Sequence, residues 1–198
     1  MVTVTAIAYN PPVGRWEPNA QGRLEQAALE LYLQQGFDET TVAEIAVRAG
    51  LTERTFFRHF TDKREVLFRG RELTEALAAA IDDAPAAAAP LDAVAAALES
   101  LSDFFAERRP HARQRQAVIS ANPSLQEREL IKLASLATTI CDALRRHGVA
   151  DPAASLVAEA GIAVFKVAFD QWLTDPADRS LAEHIREALA ELKAATQS

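Results

Sequence analysis

From Asn19 onward the hydrophobic positions of this chain recur every three to four residues, the spacing of helices that bury one face. Leu24, Ala27, Ala28, Leu31 and Leu33 predict a first helix over 19–35, closed by Gly36. Val42, Ile45, Ala46 and Ala49 fall at i, i+3, i+4 and i+7 and predict a short second helix. It opens at Thr41, which has capping-box spacing with Glu44, and it ends at Gly50. Leu51 turns the chain inward. Thr52 then caps a third short helix, in which Phe56 and Phe60 lie four apart and share the core face. Asp62, with Glu65 three residues on, caps a fourth helix that continues to about Asp83 with Val66, Leu67, Leu73 and Leu77 along one side. The run APAAAAP over 84–90 reads as a hinge or loop, because alanine gives it no anchor and proline ends each side.

Beyond the hinge the pattern predicts helices over 91–109, 110–121, 124–147, 152–174 and 180–195. Asn122-Pro123, Asp151-Pro152 and Asp175-Pro176 separate the later ones. No segment alternates with the period of a strand, so the fold class is all-α. Residues 1–18 hold Pro11, Pro12, Gly14 and Pro18 without periodicity and read as a flexible N-terminal arm. Arg15 within it could reach a minor groove, and a solvated tail is the competing reading.

Two short helices joined by a tight turn over Thr40–Phe68 form a helix-turn-helix, the device that sets a helix into the major groove of DNA. With Phe56 and Phe60 inward, Glu53, Arg54, Phe57 and Arg58 point elsewhere. This stretch resembles the DNA-binding domain of the TetR family of bacterial transcriptional regulators. The likeness rests on Gly36, Thr40, Thr41, Val42, Ile45, Ala46, Ala49, Gly50, Thr55, Phe56, Arg58, His59, Phe60 and Lys63, in register with the caps, the turn and the core phenylalanines. The family often carries Gly where Arg54 stands and Tyr where Phe57 stands. Arg54 therefore adds a long cation to the reader helix. Phe57 lacks the hydroxyl that usually meets a phosphate and is left with a thymine methyl or a sugar.

The resemblance implies an N-terminal three-helix DNA-binding domain over 19–68 and a C-terminal helical ligand-binding and dimerisation domain over 69–198. It implies a homodimeric repressor that meets a palindromic operator in double-stranded DNA and is released by a small-molecule effector. Thr52, Arg54, Thr55, Phe57 and Arg58 are the candidates for base edges and nearby phosphates, and arginine is the usual reader of guanine O6 and N7. Thr41, His59 and Lys63 are the candidates for holding the DNA backbone. Arg23 near the start of the first helix is a further phosphate candidate. Thr41 and Thr52 have capping work in any case, and Arg58 could instead pair with Asp62 four residues on.

Candidates for the effector pocket are Phe104, Phe105, His111, Gln114, Val118, Cys141, Phe165, Phe169 and Trp172, and a pocket so lined is largely apolar. Aromatics at helical spacing also suit a plain core. Val157, Ala160, Gly161, Val164 and Ala168 make a small-residue stripe that lets another helix approach. With Ile185 and Leu189 of the last helix it suits a four-helix dimer seam, against which stands an internal core stripe.

Charge modifies this picture rather than overturning it. The net charge is −7, of which residues 1–70 contribute −1 and the remainder −6. Local placement of cations decides phosphate binding, so nonspecific affinity is expected to be weak and specific contacts to dominate. The single Cys141 allows no intrachain disulfide and fits a reducing cytoplasm. No apolar run approaches the roughly 20 residues of a membrane span, and the start carries no secretion signal. Four scattered histidines give no metal spacing, and no glycine-rich phosphate loop is present, so neither a metal, a cofactor nor an enzyme is expected. The alternative from another class is a helical small-molecule binder or enzyme with a vestigial helix-turn-helix.

Overall fold

The computed structural model describes residues 19–68, 71–106 and 108–196, all helices and turns within those limits; the N-terminal arm with Arg15 lies outside them. Helix α1 (Ala20–Gln35) starts at Asn19, whose side chain accepts from the Gly22 N–H, and stops at Gly36 with φ +90°. Helix α2 (Val42–Arg48) carries the complete capping box of Thr41 and Glu44. Helix α3 (Glu53–His59) is capped by Thr52, whose hydroxyl accepts from the Thr55 N–H. Leu24, Leu29, Ile45 and Phe56 are fully buried where these three helices meet.

The chain after α3 departs from the expected single helix over 62–83. The Asp62 carboxylate accepts from the Arg64 and Glu65 N–H groups, and a 3-10 turn follows at Glu65–Leu67. Helix α4 (Arg71–Asp82) begins separately. Val66, Leu67 and Phe68 are all buried in the N-terminal core. Three consecutive residues sweep about 200° around an α-helix and cannot share one inward stripe, so the helix gives way to a tighter turn. This turn is the joint between the two domains.

Helices α5 (Pro90–Ser100), α6 (Ser102–Ala106), α7 (Arg109–Ser120), α8 (Pro123–Arg146), α9 (Ala153–Thr174) and α10 (Leu181–Thr196) follow. The expected helix over 91–109 is thus two, broken at Leu101. Helices α4, α5, α8, α9 and α10 enclose the second core, around Leu77, Val94, Leu98, Ile140, Ile162 and Ile185. The two cores meet at one corner. Val118 and Ile119 at the end of α7 and Leu125 at the start of α8 are buried in the N-terminal core, not in the C-terminal one. Val118, expected in a pocket, is therefore part of the N-terminal core.

Candidate nucleic-acid interface and effector cavity

The turn between α2 and α3 is fixed by backbone chemistry. The Leu51 N–H donates to Ala46 O at 2.8 Å and the Gly50 N–H to Val47 O at 2.9 Å, which closes the end of α2 in a Schellman pattern. Gly50 sits at φ +66°, and a Cβ there would stand 2.8 Å from Arg23 Nη2. Arg23, a phosphate candidate by sequence, instead donates through Nε to Ala49 O at 3.0 Å and through Nη2 to Gly50 O at 3.4 Å. It ties α1 to the turn and so sets the angle of α3.

That angle leaves Arg54, Phe57 and Arg58 on the outer face of α3, with Phe57 55% exposed while Phe56 beside it is buried. The two rings meet edge to face at 5.5 Å, so the core ring holds the exposed one. Among the described residues neither Arg54 nor Arg58 has a carboxylate partner; Asp62 pairs with Arg64 at 2.8 Å. Thr52 and Thr55 share a hydroxyl contact of 3.1 Å at the N-terminus of α3. Thr41 is exposed, but its hydroxyl is engaged with Glu44, whose carboxyl is held below its usual range by the Thr41 N–H and hydroxyl. His59 is exposed at the end of α3.

Lys63 takes a position different from the expected one. Its ammonium donates to Phe37 O at 2.8 Å, Thr40 O at 2.9 Å and Asp38 O at 3.1 Å, and lies 4.4 Å from the Phe37 ring centroid. An ammonium has three donors. All three go to carbonyls of the loop between α1 and α2, so Lys63 pins that loop and has no donor left for a phosphate.

The second feature is a cavity of about 580 Å³ between the joint and the C-terminal helices. Val66, Leu67 and Phe68 of the joint wall one side. Phe104, Phe105, Phe165 and Phe169 wall the other, with His111 at the edge. These five of the expected pocket residues come together. Gln114 faces solvent, and Cys141 is buried in the C-terminal core with Ser155 at 3.6 Å. Trp172 lies behind the lining, 5.4 Å from Phe169 and 6.1 Å from Phe105, and props both rings. The sequence reading missed the polar wall. Arg115 follows His111 by one helical turn, and Glu129, Lys132, Leu133 and Leu136 repeat at i, i+3, i+4 and i+7 on α8, so the signal was present. Burial, with Arg115 and Arg108 nearby, pushes the His111 imidazole below its usual range.

The small-residue stripe of α9 turns inward. Gly161, Val164, Ala168 and Ile185 are buried within the protomer, and Val157 and Leu189 pack against the same core. A Cβ on Gly161 would stand 2.6 Å from Val94 Cγ1, so the glycine admits α5 rather than a partner helix. Of the expected seam only Ala160 borders the outer face of α9. There Leu156 and Val167 are 67% and 51% exposed, with Ala163 between them.

A family model described as bacterial regulatory proteins, tetR family, matches residues 25–69, and a second, the MftR C-terminal domain, matches residues 88–197. The chain belongs to the TetR family. Among its relatives, the HTH-type transcriptional regulator TcmR of Streptomyces glaucescens is 41% identical over 80 residues, 40% of this chain and 35% of TcmR. MftR of Mycobacterium tuberculosis, assigned by inference to the regulation of mycofactocin biosynthesis, is 28% identical over 167 residues, 82% of this chain and 84% of MftR. In the SmeT–triclosan complex the SmeT chain shares the fold, with a TM-score of 0.60 and 18% identity over 87% of this chain and 90% of SmeT. A TetR-family protein is a DNA-binding transcriptional regulator, and the helix-turn-helix is complete here in its caps, turn and exposed cations. No described helix is long and apolar enough to cross a membrane.

Proposed function

We propose that this TetR-family protein is a cytoplasmic homodimeric repressor, released from a palindromic operator when a small molecule fills the cavity. The observation that carries the reading is that Val66, Leu67 and Phe68 are at once the wall of the cavity and part of the core beneath α3. A ligand that spreads this wall moves the base on which the reader helix rests. SmeT, which shares the fold, holds triclosan in its complex.

In this reading Arg54 and Arg58 take base edges or adjacent phosphates and Phe57 takes a thymine methyl. Thr41, Thr52, Thr55 and His59 lie around them at the backbone. Lys63 supports the loop instead. Dimerisation uses the outer face of α9, where Leu156, Ala160, Ala163 and Val167 follow at i, i+4, i+7 and i+11. Two protomers then present two α3 helices to half-sites about one duplex turn apart, roughly 34 Å.

The test is recovery of genomic fragments by purified protein, followed by sequencing. A palindromic motif bound by two protomers per site, with affinity falling as salt rises, supports the reading. Absence of enrichment even at low salt removes it.

A further inference from the structure

The polar wall of the cavity and the joint share the same side chains. Lys132 on α8 lines the cavity, and its Nζ lies 3.3 Å from Glu65 Oε2 in the joint. Arg115 on α7 also lines the cavity. It donates through Nε to Leu67 O at 2.7 Å, again in the joint, and through Nη1 to Glu129 Oε1 at 3.1 Å. Arg128, which does not line the cavity, holds the other oxygen of Glu65. The joint is therefore clamped to α7 and α8 by three cations, two of which face the cavity.

The cavity also has cations to spare. Arg108 and Lys166 line it, and among the described residues neither has a carboxylate partner; Arg108 only stacks 4.0 Å over the Phe104 ring. On the acidic side Glu129 is already engaged by Arg115, and Glu25 and Asp170 also line the cavity, so four cations, Arg108, Arg115, Lys132 and Lys166, face three carboxylates. Burial first, and then Arg115 and Arg108, lower the basicity of His111. Burial also lowers the Arg115 guanidinium, although an arginine stays charged at any physiological pH. A cation kept under such conditions is a strong point for a charged hydrogen bond.

Resting on the reading of the cavity as the effector site, we infer that its effector is an organic anion with an apolar body. The body lies against Phe104, Phe105, Phe165 and Phe169. The anionic group draws Lys132 from Glu65 and Arg115 from the Leu67 carbonyl, and the joint loses two of its three ties. Glu65 and the effector compete for one ammonium, so each weakens the hold of the other by the same factor.

Three probes with one aromatic body separate the charge from the shape: naphthylacetate, naphthylacetamide and naphthylethylamine. Each is titrated calorimetrically into the full chain near neutral pH. The carboxylate is expected to bind about tenfold more tightly than the amide and the amine least of all, because hydrogen bonds to an ionised group are roughly twice as strong as neutral ones. Lys132→Gln narrows the gap between carboxylate and amide, and Lys132→Arg restores it. Glu65→Gln, outside the cavity, tightens the carboxylate alone, which a merely structural role would not do. Equal binding of acid and amide, or a preference indifferent to both Lys132→Gln and Glu65→Gln, overturns the inference and leaves the cavity standing. Failure of all three probes to bind removes the cavity reading itself and the inference with it.

Discussion

Lys63→Met is the most informative single substitution in the DNA-binding domain. It keeps an unbranched side chain one atom shorter and removes the charge. The backbone carbonyl of Lys63 still accepts from the Tyr32 hydroxyl at 2.6 Å, so the packing of α1 is not otherwise disturbed. What is lost is three hydrogen bonds from an ammonium to loop carbonyls and a cation over the Phe37 ring. Hydrogen bonds to charged groups are worth about 1.5–3 kcal/mol each, but the Asp38 bond is exposed and water can replace much of it. The remaining two are partly buried and share one donor group, so their losses do not add in full. A cost of about 2–3 kcal/mol follows, a shift in the folded-to-unfolded ratio of about 30- to 150-fold. Urea unfolding of the variant reads it. The companion assay is the salt dependence of duplex binding, whose slope should stay that of the wild type, because the Lys63 ammonium is engaged by three loop carbonyls. A slope reduced by about one counterion with an unchanged urea midpoint would refute the reasoning and return Lys63 to the DNA backbone.

Three further outcomes are expected. Arg54→Ala should cost about 1–3 kcal/mol on the operator and relax selection at one base position, read by anisotropy on duplexes varied one base at a time; equal losses on operator and random DNA would exclude base reading. Leu156→Arg combined with Val167→Arg should leave the helical signal intact and give monomers by light scattering, whereas a surviving dimer places the seam elsewhere. The Asp175 carboxylate, held first by the Ala177 N–H and then by Arg179 and His184, is lowered from the usual 3.8 to about 2. Its folded value lies below its unfolded one, so its contribution is complete above 3.8 and is lost as pH falls from there toward about 2. Asp175→Asn should flatten that part of the acid-unfolding curve, and an unchanged acid limb would contradict the assignment.

The parts of the fold that were legible in sequence are those decided within a few residues. Thr41 with Glu44, Thr52, Gly36 and Gly50 act on their own turns, and each stands where its spacing put it. The parts that were not legible depend on distant neighbours. A stripe of small residues on α9 reads the same whether it admits a partner or Val94 of its own chain, and only the 2.6 Å approach at Gly161 decides. The joint broke the expected helix because the N-terminal core claims Val66, Leu67 and Phe68 together. Arg109, placed by pattern at the end of the helix over 91–109, is buried and reaches Asp178 at 2.6 Å and Asp175 O at 2.6 Å. The apolar half of the cavity was legible because phenylalanines at helical spacing must be inside. Arg115 and Lys132 were passed over because charged residues read as a solvated face. The exposure of Arg54, Phe57 and Arg58 was also legible, since Phe56 and Phe60 fix the inward face of α3.

The claim on which the account turns is that the state of the cavity governs the reader helices. Filling it by mutation tests that without knowledge of the effector. Leu101 lines the cavity at the break between α5 and α6 and is only partly buried, so Leu101→Trp adds a ring where there is space. The measurement is affinity for the recovered operator, by anisotropy, of a variant whose helical signal and urea midpoint match the wild type. The account predicts weaker operator binding by about tenfold, the lower part of the usual range for coupling between two sites. Unchanged affinity in a folded, filled protein would contradict it.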